Sequence, residues 1–80
     1  MTIKVRLFAR MAQEAKASAL TLEVPEGTTA GGARTALQKQ FAALPWPSGT
    51  MIAVNQEYAS PEQVLSPGDE VAIIPPVSGG

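Results

Sequence analysis

The sequence contains no cysteine and no histidine among its 80 residues. The lack of cysteine excludes a disulfide framework, a thiolate nucleophile and a Cys-ligated iron–sulfur cluster. Because the usual zinc ligands are missing as well, we expect neither a metal site nor a bound cofactor. A chain of this length forms one small domain around a single core.

An excess of positive charge and a long hydrophobic run are also missing. Six basic and seven acidic residues give a net charge of −1, which leaves no field to hold a nucleic-acid backbone. Apolar runs such as those at 51–54 and 71–76 are much shorter than the roughly 18 residues of a membrane-spanning helix. The chain begins directly with the alternating segment MTIKVRLF and shows no signal region, so we expect a cytoplasmic protein. We therefore predict no nucleic-acid partner and no membrane partner.

Alternating and helix-forming segments predict the first elements of the fold. Apolar and polar residues alternate at 3–7 and again at 20–24, which predicts two strands that each have one solvated face. Between them, residues 9–16 are rich in strong helix formers and predict a short helix.

The main helix is predicted further along the chain. Its apolar stripe has helical spacing and consists of Ala30, Ala33, Leu37 and Phe41. Thr28 or Thr29 is positioned to cap its start, whereas Gly31 and Gly32 weaken the first turn and allow the helix to begin one turn later. The segment 44–49 contains two prolines and predicts a loop.

Short apolar runs and turn residues predict the second half of the fold. Residues 51–55 are an apolar run that predicts a third strand, and a turn follows at 55–57. The Ser-Pro-Glu sequence at 60–62 favours a brief helical turn with proline at its first position. Residues 66–69 have the pattern of a type II turn. The apolar run 71–74 then predicts a strand covered on both faces near the centre of the sheet.

Together these elements predict one α+β domain of the ubiquitin-like β-grasp type at 1–74, a mixed sheet with one main helix packed across it. The six residues 75–80 follow as an extended tail with the sequence PPVSGG. Its prolines prevent continued pairing in a central strand and favour an extended path. Such a tail reaches at most about 20 Å, which is far enough to enter the active site of a partner.

The tail ends in two glycines. Because glycine has no Cβ, these residues fit a narrow channel and leave the terminal carboxylate open to attack. We predict that the carboxylate of Gly80 is the working group, and that it is carried into the partner by the preceding tail residues Pro75, Pro76, Val77, Ser78 and Gly79. The alternative is that the two glycines are terminal disorder or a remnant of expression.

Several segments carry a resemblance to a known family. These are the tail PPVSGG, GDE at 68–70, AVNQEY at 53–58, RLFAR at 6–10 and VPEGTT at 24–29. They closely resemble the MoaD family, the small subunit of molybdopterin synthase, which is a ubiquitin-like sulfur carrier. The sequence departs from the family at Ala12 and Gln13, where a basic and an acidic residue are common, and at 30–32, which replaces a better helix start.

The resemblance implies a mechanism for the tail. An adenylating activating enzyme would use ATP to convert Gly80 to an acyl adenylate, and a sulfur donor would then convert it to a thiocarboxylate. The sulfur would attack a cyclic pterin precursor within the synthase. Two sulfurs are needed per product, which fits an assembly of two large and two small subunits. The acid–base residues would belong to the large subunit, so this chain would not be a catalyst alone.

The resemblance also implies an interface beside the tail, formed by Phe8, Met51 and Ile74 together with Val77. Core packing explains Phe8, Met51 and Ile74 equally well at this stage. Trp46, between two prolines, is either a lid on the core or a surface anchor.

Three other functions share such a tail. A thiamine-pathway sulfur carrier also ends in Gly-Gly on a β-grasp, although such chains are typically shorter and lack PPVSGG. A ubiquitin-like protein modifier would join Gly80 to a lysine of another protein. A plain binding module would carry an inert tail.

Overall fold

A computed structural model of the chain describes residues 1–42, 46 and 48–76. In chain order its elements are β1 Thr2–Leu7, α1 Ala9–Ala15, β2 Ala19–Glu23, α2 Ala30–Gln40, β3 Met51–Val54, β4 Glu57–Tyr58 and β5 Glu70–Ile74. Each predicted strand and both predicted helices are present within one or two residues of their expected bounds. The short strand β4 was not predicted.

The strands form one mixed sheet in the order β2-β1-β5-β3-β4. β1 and β5 are parallel, whereas the β1–β2, β3–β5 and β3–β4 pairs are antiparallel. The central position of β5 confirms the prediction from its continuous apolar sequence. The mixed sheet and its one long helix confirm the predicted α+β class.

The core lies between α2 and one face of the sheet. Alternate residues of the central strands point to it, and Ile3, Val5, Val71 and Ile73 have no exposed surface. The predicted stripe of α2 faces them, with Ala30, Ala33 and Leu37 also fully buried. Burial of each large aliphatic side chain stabilises the fold by about 1.5–3 kcal/mol. The two periodicities of the sequence, 2.0 and 3.6, therefore identified most of the core.

The start of α2 resolves the alternatives left by its sequence. Thr29 is the N-cap, and its Oγ1 accepts a hydrogen bond of 3.1 Å from the backbone N–H of Gly32. The helix begins at Ala30, so the later start is wrong. The N–H groups of Ala30 and Gly31 donate to the carbonyl oxygens of Gln63 at 2.8 Å and Pro61 at 2.9 Å. These partners satisfy donors that a helix start leaves free, which offsets the weak helix propensity of the glycines.

Gly31 is required by the close approach of the loop that follows β4. A Cβ at this position would lie 3.1 Å from both the Cβ and the carbonyl oxygen of Pro61. The same loop corrects a prediction, because residues 60–65 form no helical turn. They contain a turn with the N–H of Gln63 donating to the carbonyl of Ser60 at 3.1 Å, and Val64 makes an isolated bridge with Thr29. The carbonyl oxygens of Pro61 and Gln63 therefore accept hydrogen bonds from the start of α2 and not from a local helix.

Two turns shape the second half of the sheet. Asn55 and Gln56 have φ values of 50° and 72°, the conformation of a two-residue hairpin turn that matches the twist of its strands. Glu57 therefore belongs to β4 and not to the turn. The predicted turn at 66–69 is confirmed, since Gly68 has φ of 82° and the N–H of Asp69 donates to the carbonyl of Ser66 at 3.1 Å.

The residues after α2 are described in part. Within the predicted loop at 44–49, residues 46, 48 and 49 are described and belong to no helix or strand, whereas 44, 45 and 47 lie outside the described residues. Trp46 is half-buried against the core, and its Nε1 donates to the carbonyl of Phe41 at 3.3 Å. Trp46 is thus a lid at the end of α2.

Candidate functional site

The tail begins at the centre of the sheet. β5 ends at Ile74, where the prediction places the boundary of the body, and its neighbours are β1 and β3. Pro75 is half-buried and Pro76 is exposed. Val77, Ser78, Gly79 and Gly80 lie outside the described residues, so their roles and the division into body and tail stay predictions.

The three predicted interface residues lie together where the tail begins. Met51 on β3 is paired with Ile74 on β5. Leu7 on β1 is paired in parallel with Ile73, so Phe8, whose backbone is also extended, continues beside Ile74. Directly paired residues place their side chains on the same face of a sheet. Phe8, Met51 and Ile74, here called the tail-exit patch, therefore span three adjacent strands.

The exposure of the tail-exit patch tests the core-packing alternative. Phe8 is 41% exposed and Met51 is 50% exposed, although both are large apolar side chains. Ile74 is half-buried. The core-packing alternative is wrong for Phe8 and Met51, because the side chains that contact α2 are the alternate residues of the same strands.

The sheet face opposite α2 extends the tail-exit patch. It holds a shallow depression of about 270 Å³ lined by Arg6, Phe8, Ala53, Gln56, Tyr58, Glu70, Ala72 and Ile74. Tyr58 is 67% exposed and Ala72 is half-buried. The prediction that the last strand is covered on both faces is therefore wrong, since only Val71 and Ile73 are buried.

Sequence reasoning missed Tyr58 and Ala72, which two strand pairings place on this face of the sheet. The hairpin turn at Asn55 and Gln56 pairs Ala53 with Tyr58, and Ala53 is also paired with Ala72. Recognition of the two-residue turn would have put Tyr58 on the same face as Ala53, whereas Ala72 joins them only through the pairing of β3 with β5.

Charged groups border this apolar face. The guanidinium of Arg6 lies 6.0 Å from the centre of the Phe8 ring, within the range of a cation–π contact. Its Nη1 is also 3.9 Å from Oε1 of Glu70. An exposed pair of this kind contributes little to stability. Arg6 and Glu70 place one positive and one negative charge at the border of the apolar face.

The carboxylate of Asp69, which precedes β5 at the end away from the tail, has a structural role. Asp69 accepts hydrogen bonds from Nδ2 of Asn55 at 3.1 Å and from the N–H of Ser66 at 2.8 Å. The N–H of Glu70 donates to Oδ1 of Asn55 at 3.0 Å. These bonds join the β3–β4 hairpin to the start of β5. Within residues 1–42, 46 and 48–76, no group of three or more metal-binding side chains occurs, and no helix is long and apolar enough to cross a bilayer.

Comparison with known proteins places the chain in a family. Residues 5–80 match the model of the ThiS family. The chain belongs to the ThiS family. One relative is the molybdopterin synthase sulfur carrier subunit of Arabidopsis thaliana. It is 39% identical over 79 residues, which cover 98% of this chain and 82% of the relative. The resemblance to the small subunit of molybdopterin synthase is thereby confirmed.

Solved structures agree with this ThiS-family assignment. SAMP1 of Haloferax volcanii is 28% identical and superposes with a TM-score of 0.85 over all of both chains. A chain of the complex of subunits 1 and 2 of molybdopterin-converting factor from Helicobacter pylori is 25% identical, with a TM-score of 0.71 over all of both chains. These likenesses confirm the ubiquitin-like β-grasp fold.

Proposed function

We propose that this chain is the sulfur carrier subunit of a molybdopterin synthase and that it carries sulfur as a thiocarboxylate on Gly80. The observation that carries the proposal is that the chain leaves the central strand β5 at Pro75 beside the exposed tail-exit patch, in a segment whose sequence ends in Gly79 and Gly80. The curated name of the Arabidopsis relative supports the same function. The tail is the reactive part and the body is the part that a partner recognises.

The chemistry at Gly80 proceeds in two steps before transfer. A carboxylate is a poor acyl electrophile, so the activating enzyme joins it to the AMP portion of ATP and releases pyrophosphate. A sulfur donor then attacks the acyl carbon, the bond to AMP breaks, and AMP leaves with the bonding electrons. The resulting thiocarboxylate sulfur is a stronger nucleophile than a carboxylate oxygen and attacks a carbon of the cyclic pterin precursor. Hydrolysis of the thioester so formed breaks the acyl–sulfur bond, leaves the sulfur on the pterin and returns Gly80 as a carboxylate.

The body supplies the binding free energy for this chemistry. Ordering each tail residue costs about 1–2 kcal/mol, and burial of Phe8, Met51 and Ile74 against a partner offsets that cost. We assign the tail-exit patch to the large subunit of the synthase. The Helicobacter pylori complex of subunits 1 and 2 supports a partner of this kind. Two large and two small subunits in the assembly, acid–base groups on the large subunit, and a cytoplasmic location complete the proposal.

A second candidate function is that of a ubiquitin-like protein modifier. The observation that favours it is the likeness to SAMP1, a protein described as a small archaeal modifier. In this case Gly80 would be joined through its acyl carbon to the amine of a lysine in another protein. The Arabidopsis relative is named for molybdopterin synthesis, which favours that pathway over the thiamine alternative.

The test is the intact mass of the chain after incubation with a sulfur-carrier activating enzyme, ATP and a sulfide donor. The proposal expects a gain equal to the difference between one sulfur and one oxygen atom, located at Gly80. A chain without Gly79 and Gly80 is the control and should gain nothing. Addition of the large subunit and the pterin precursor should then yield molybdopterin. Conjugates to lysine that persist under denaturation would support the modifier, and molybdopterin formation by the shortened chain would refute the proposal.

A further inference from the structure

A second depression lies next to the tail-exit patch, where the start of β3 meets the start of α2. Its volume is about 230 Å³. Met51 of the tail-exit patch lines it, together with Gly31 and Arg34 of α2 and Pro61 of the loop after β4. The depression and the tail-exit patch therefore share the exposed side chain of Met51, so a partner that covers the patch also lies beside the depression.

Arg34 differs from the other two arginines of the chain in its surroundings. The side chain of Arg6 is 51% exposed and lies 3.9 Å from a carboxylate oxygen of Glu70, and Arg10 is exposed on α1. Arg34 is half-buried. Its Nη1 donates to the carbonyl oxygen of Thr50 at 3.3 Å, which holds the guanidinium against the start of β3. The charge of Arg34 thus has a fixed place in the wall of the depression.

The charge of Arg34 has no opposite charge in the described chain. The depression is lined by no aspartate and no glutamate. Within residues 1–42, 46 and 48–76, no carboxylate lies within 4.0 Å of the guanidinium. A guanidinium carries five N–H donors, and the bond to Thr50 uses one of them. Such a group binds a carboxylate through two parallel hydrogen bonds, a geometry that a flexible ammonium group does not offer.

We propose that Arg34 binds an acidic side chain of the large subunit, as a second contact of the interface that begins at the tail-exit patch. The inference rests on the proposed function, which assigns that patch to the large subunit. Two features favour an acidic side chain as the occupant. The guanidinium supplies the complementary charge, and Met51 and Pro61 supply apolar walls against which the methylene groups of aspartate or glutamate can pack.

The pair is covered once the partner docks, because Met51 beside it is covered. An interaction between two charges is stronger where water is excluded. Removal of one charge then leaves the other covered without a partner, which weakens binding strongly. Arg34→Gln should therefore lower the affinity for the large subunit at least about tenfold. Arg34→Lys keeps the charge without the paired donors and should have an intermediate affinity.

A purely structural role of Arg34 would also weaken binding, through its bond to Thr50, so a second variant is needed. Arg34→Gln and Arg34→Glu both remove the guanidinium, and only Arg34→Glu places a negative charge opposite the carboxylate of the partner. We expect Arg34→Glu to bind more weakly than Arg34→Gln, and the difference to become smaller at high salt. Lys39→Gln and Lys39→Glu are the matched controls, because Lys39 is an exposed cation on the same helix. These two controls should bind alike.

The experiment is calorimetry of each full-length variant with the large subunit at low and at high sodium chloride, together with the melting temperature of each variant. An affinity of Arg34→Gln equal to that of Lys39→Gln would overturn the inference. Equal affinities of Arg34→Gln and Arg34→Glu at low salt would overturn it as well, since they indicate a structural role. If the wild-type chain does not bind the large subunit, the proposed function fails and this contact with it, so the two failures are distinguishable.

Discussion

Gly31 and Gly32 are neighbours in the first turn of α2, and we predict that replacing them with alanine has opposite effects on stability. Alanine is favoured over glycine by up to about 1 kcal/mol inside a helix. The surroundings of the added Cβ decide whether that gain is realised. Gly31 lies against a loop backbone, whereas Gly32 lies against the ends of two side chains.

In Gly31→Ala the new methyl group would be 3.1 Å from Cβ and from the carbonyl oxygen of Pro61. Pro61 must then move, and overpacking of this kind costs about 1–3 kcal/mol. The movement also lengthens the 2.9 Å hydrogen bond from the N–H of Gly31 to that carbonyl, which is worth about 0.5–1.5 kcal/mol. These costs exceed the helix-propensity gain, so we expect a net destabilisation of about 1 kcal/mol or more.

Gly32→Ala is the matched control. Its methyl group would be 3.2 Å from Cγ2 of Thr28 and 3.4 Å from Oγ1 of Thr29. Cγ2 of Thr28 is a side-chain atom, which gives way more easily than a backbone carbonyl, and at 3.4 Å the Thr29 oxygen can keep its N-cap bond to the N–H of residue 32. Part of the propensity gain should survive, and we expect a stabilisation of about 0.4–1 kcal/mol.

Thermal and urea unfolding followed by circular dichroism measure both effects. For a domain of this size, 1 kcal/mol shifts the melting temperature by about 4–8 °C, so the two variants should melt on opposite sides of the wild type. A Gly31→Ala chain that is as stable as Gly32→Ala would show that the loop moves freely. The account of why glycine stands at position 31 would then be refuted.

Three further predictions concern the patch, the hairpin and the core. Phe8→Ala should weaken binding to the large subunit at least about tenfold in calorimetry and barely change the melting temperature. Lys39→Ala on α2 is the control. Equal affinities of the two variants for the large subunit would exclude Phe8 from the interface. Asn55→Ala should destabilise the fold by about 1–3 kcal/mol in urea unfolding, because two side-chain hydrogen bonds to the start of β5 are lost. Leu37→Ala, fully buried, should cost about 2–5 kcal/mol; a loss below that of Asn55→Ala would contradict its central place in the core.

The sequence was informative wherever a residue's local pattern and its final environment agree. The alternation in β1 and the helical stripe in α2 identified the two sides of the core, because burial follows the backbone period. A cap at Thr28 or Thr29 and the turn that contains Gly68 were predicted from the conformations that a cap and a turn require, and the structure has Thr29 as the cap. The C-terminal Gly-Gly was recognised from chemistry alone, and its role stays a prediction.

The features that were missed depend on contacts between distant parts of the chain. Residues 60–65 have the composition of a helical turn, yet their carbonyl groups bind the start of α2, about 30 residues earlier. The exposure of Phe8 and Met51 depends on the absence of a layer over the second face of the sheet in the described part of the chain, which no local pattern reports. Tyr58 is the exception, because the local hairpin turn at 55–56 places it on this face.

The central place of β5 also determines which molecules can display the tail-exit patch. In the described sheet the β1–β2 pair and the β3–β4 pair are joined only by β5. The pairing of β5 with β1 starts where Lys4 is paired with Glu70, and this strand is synthesised after the other four. A chain that stops before residue 70 has the β1–β2 and β3–β4 pairs without the strand that joins them, and isolated two-stranded pairs are marginally stable in water. Phe8 and Met51 are then not held next to each other, because Ile74 lies between them. We therefore expect chains that stop before β5 to lack the assembled tail-exit patch.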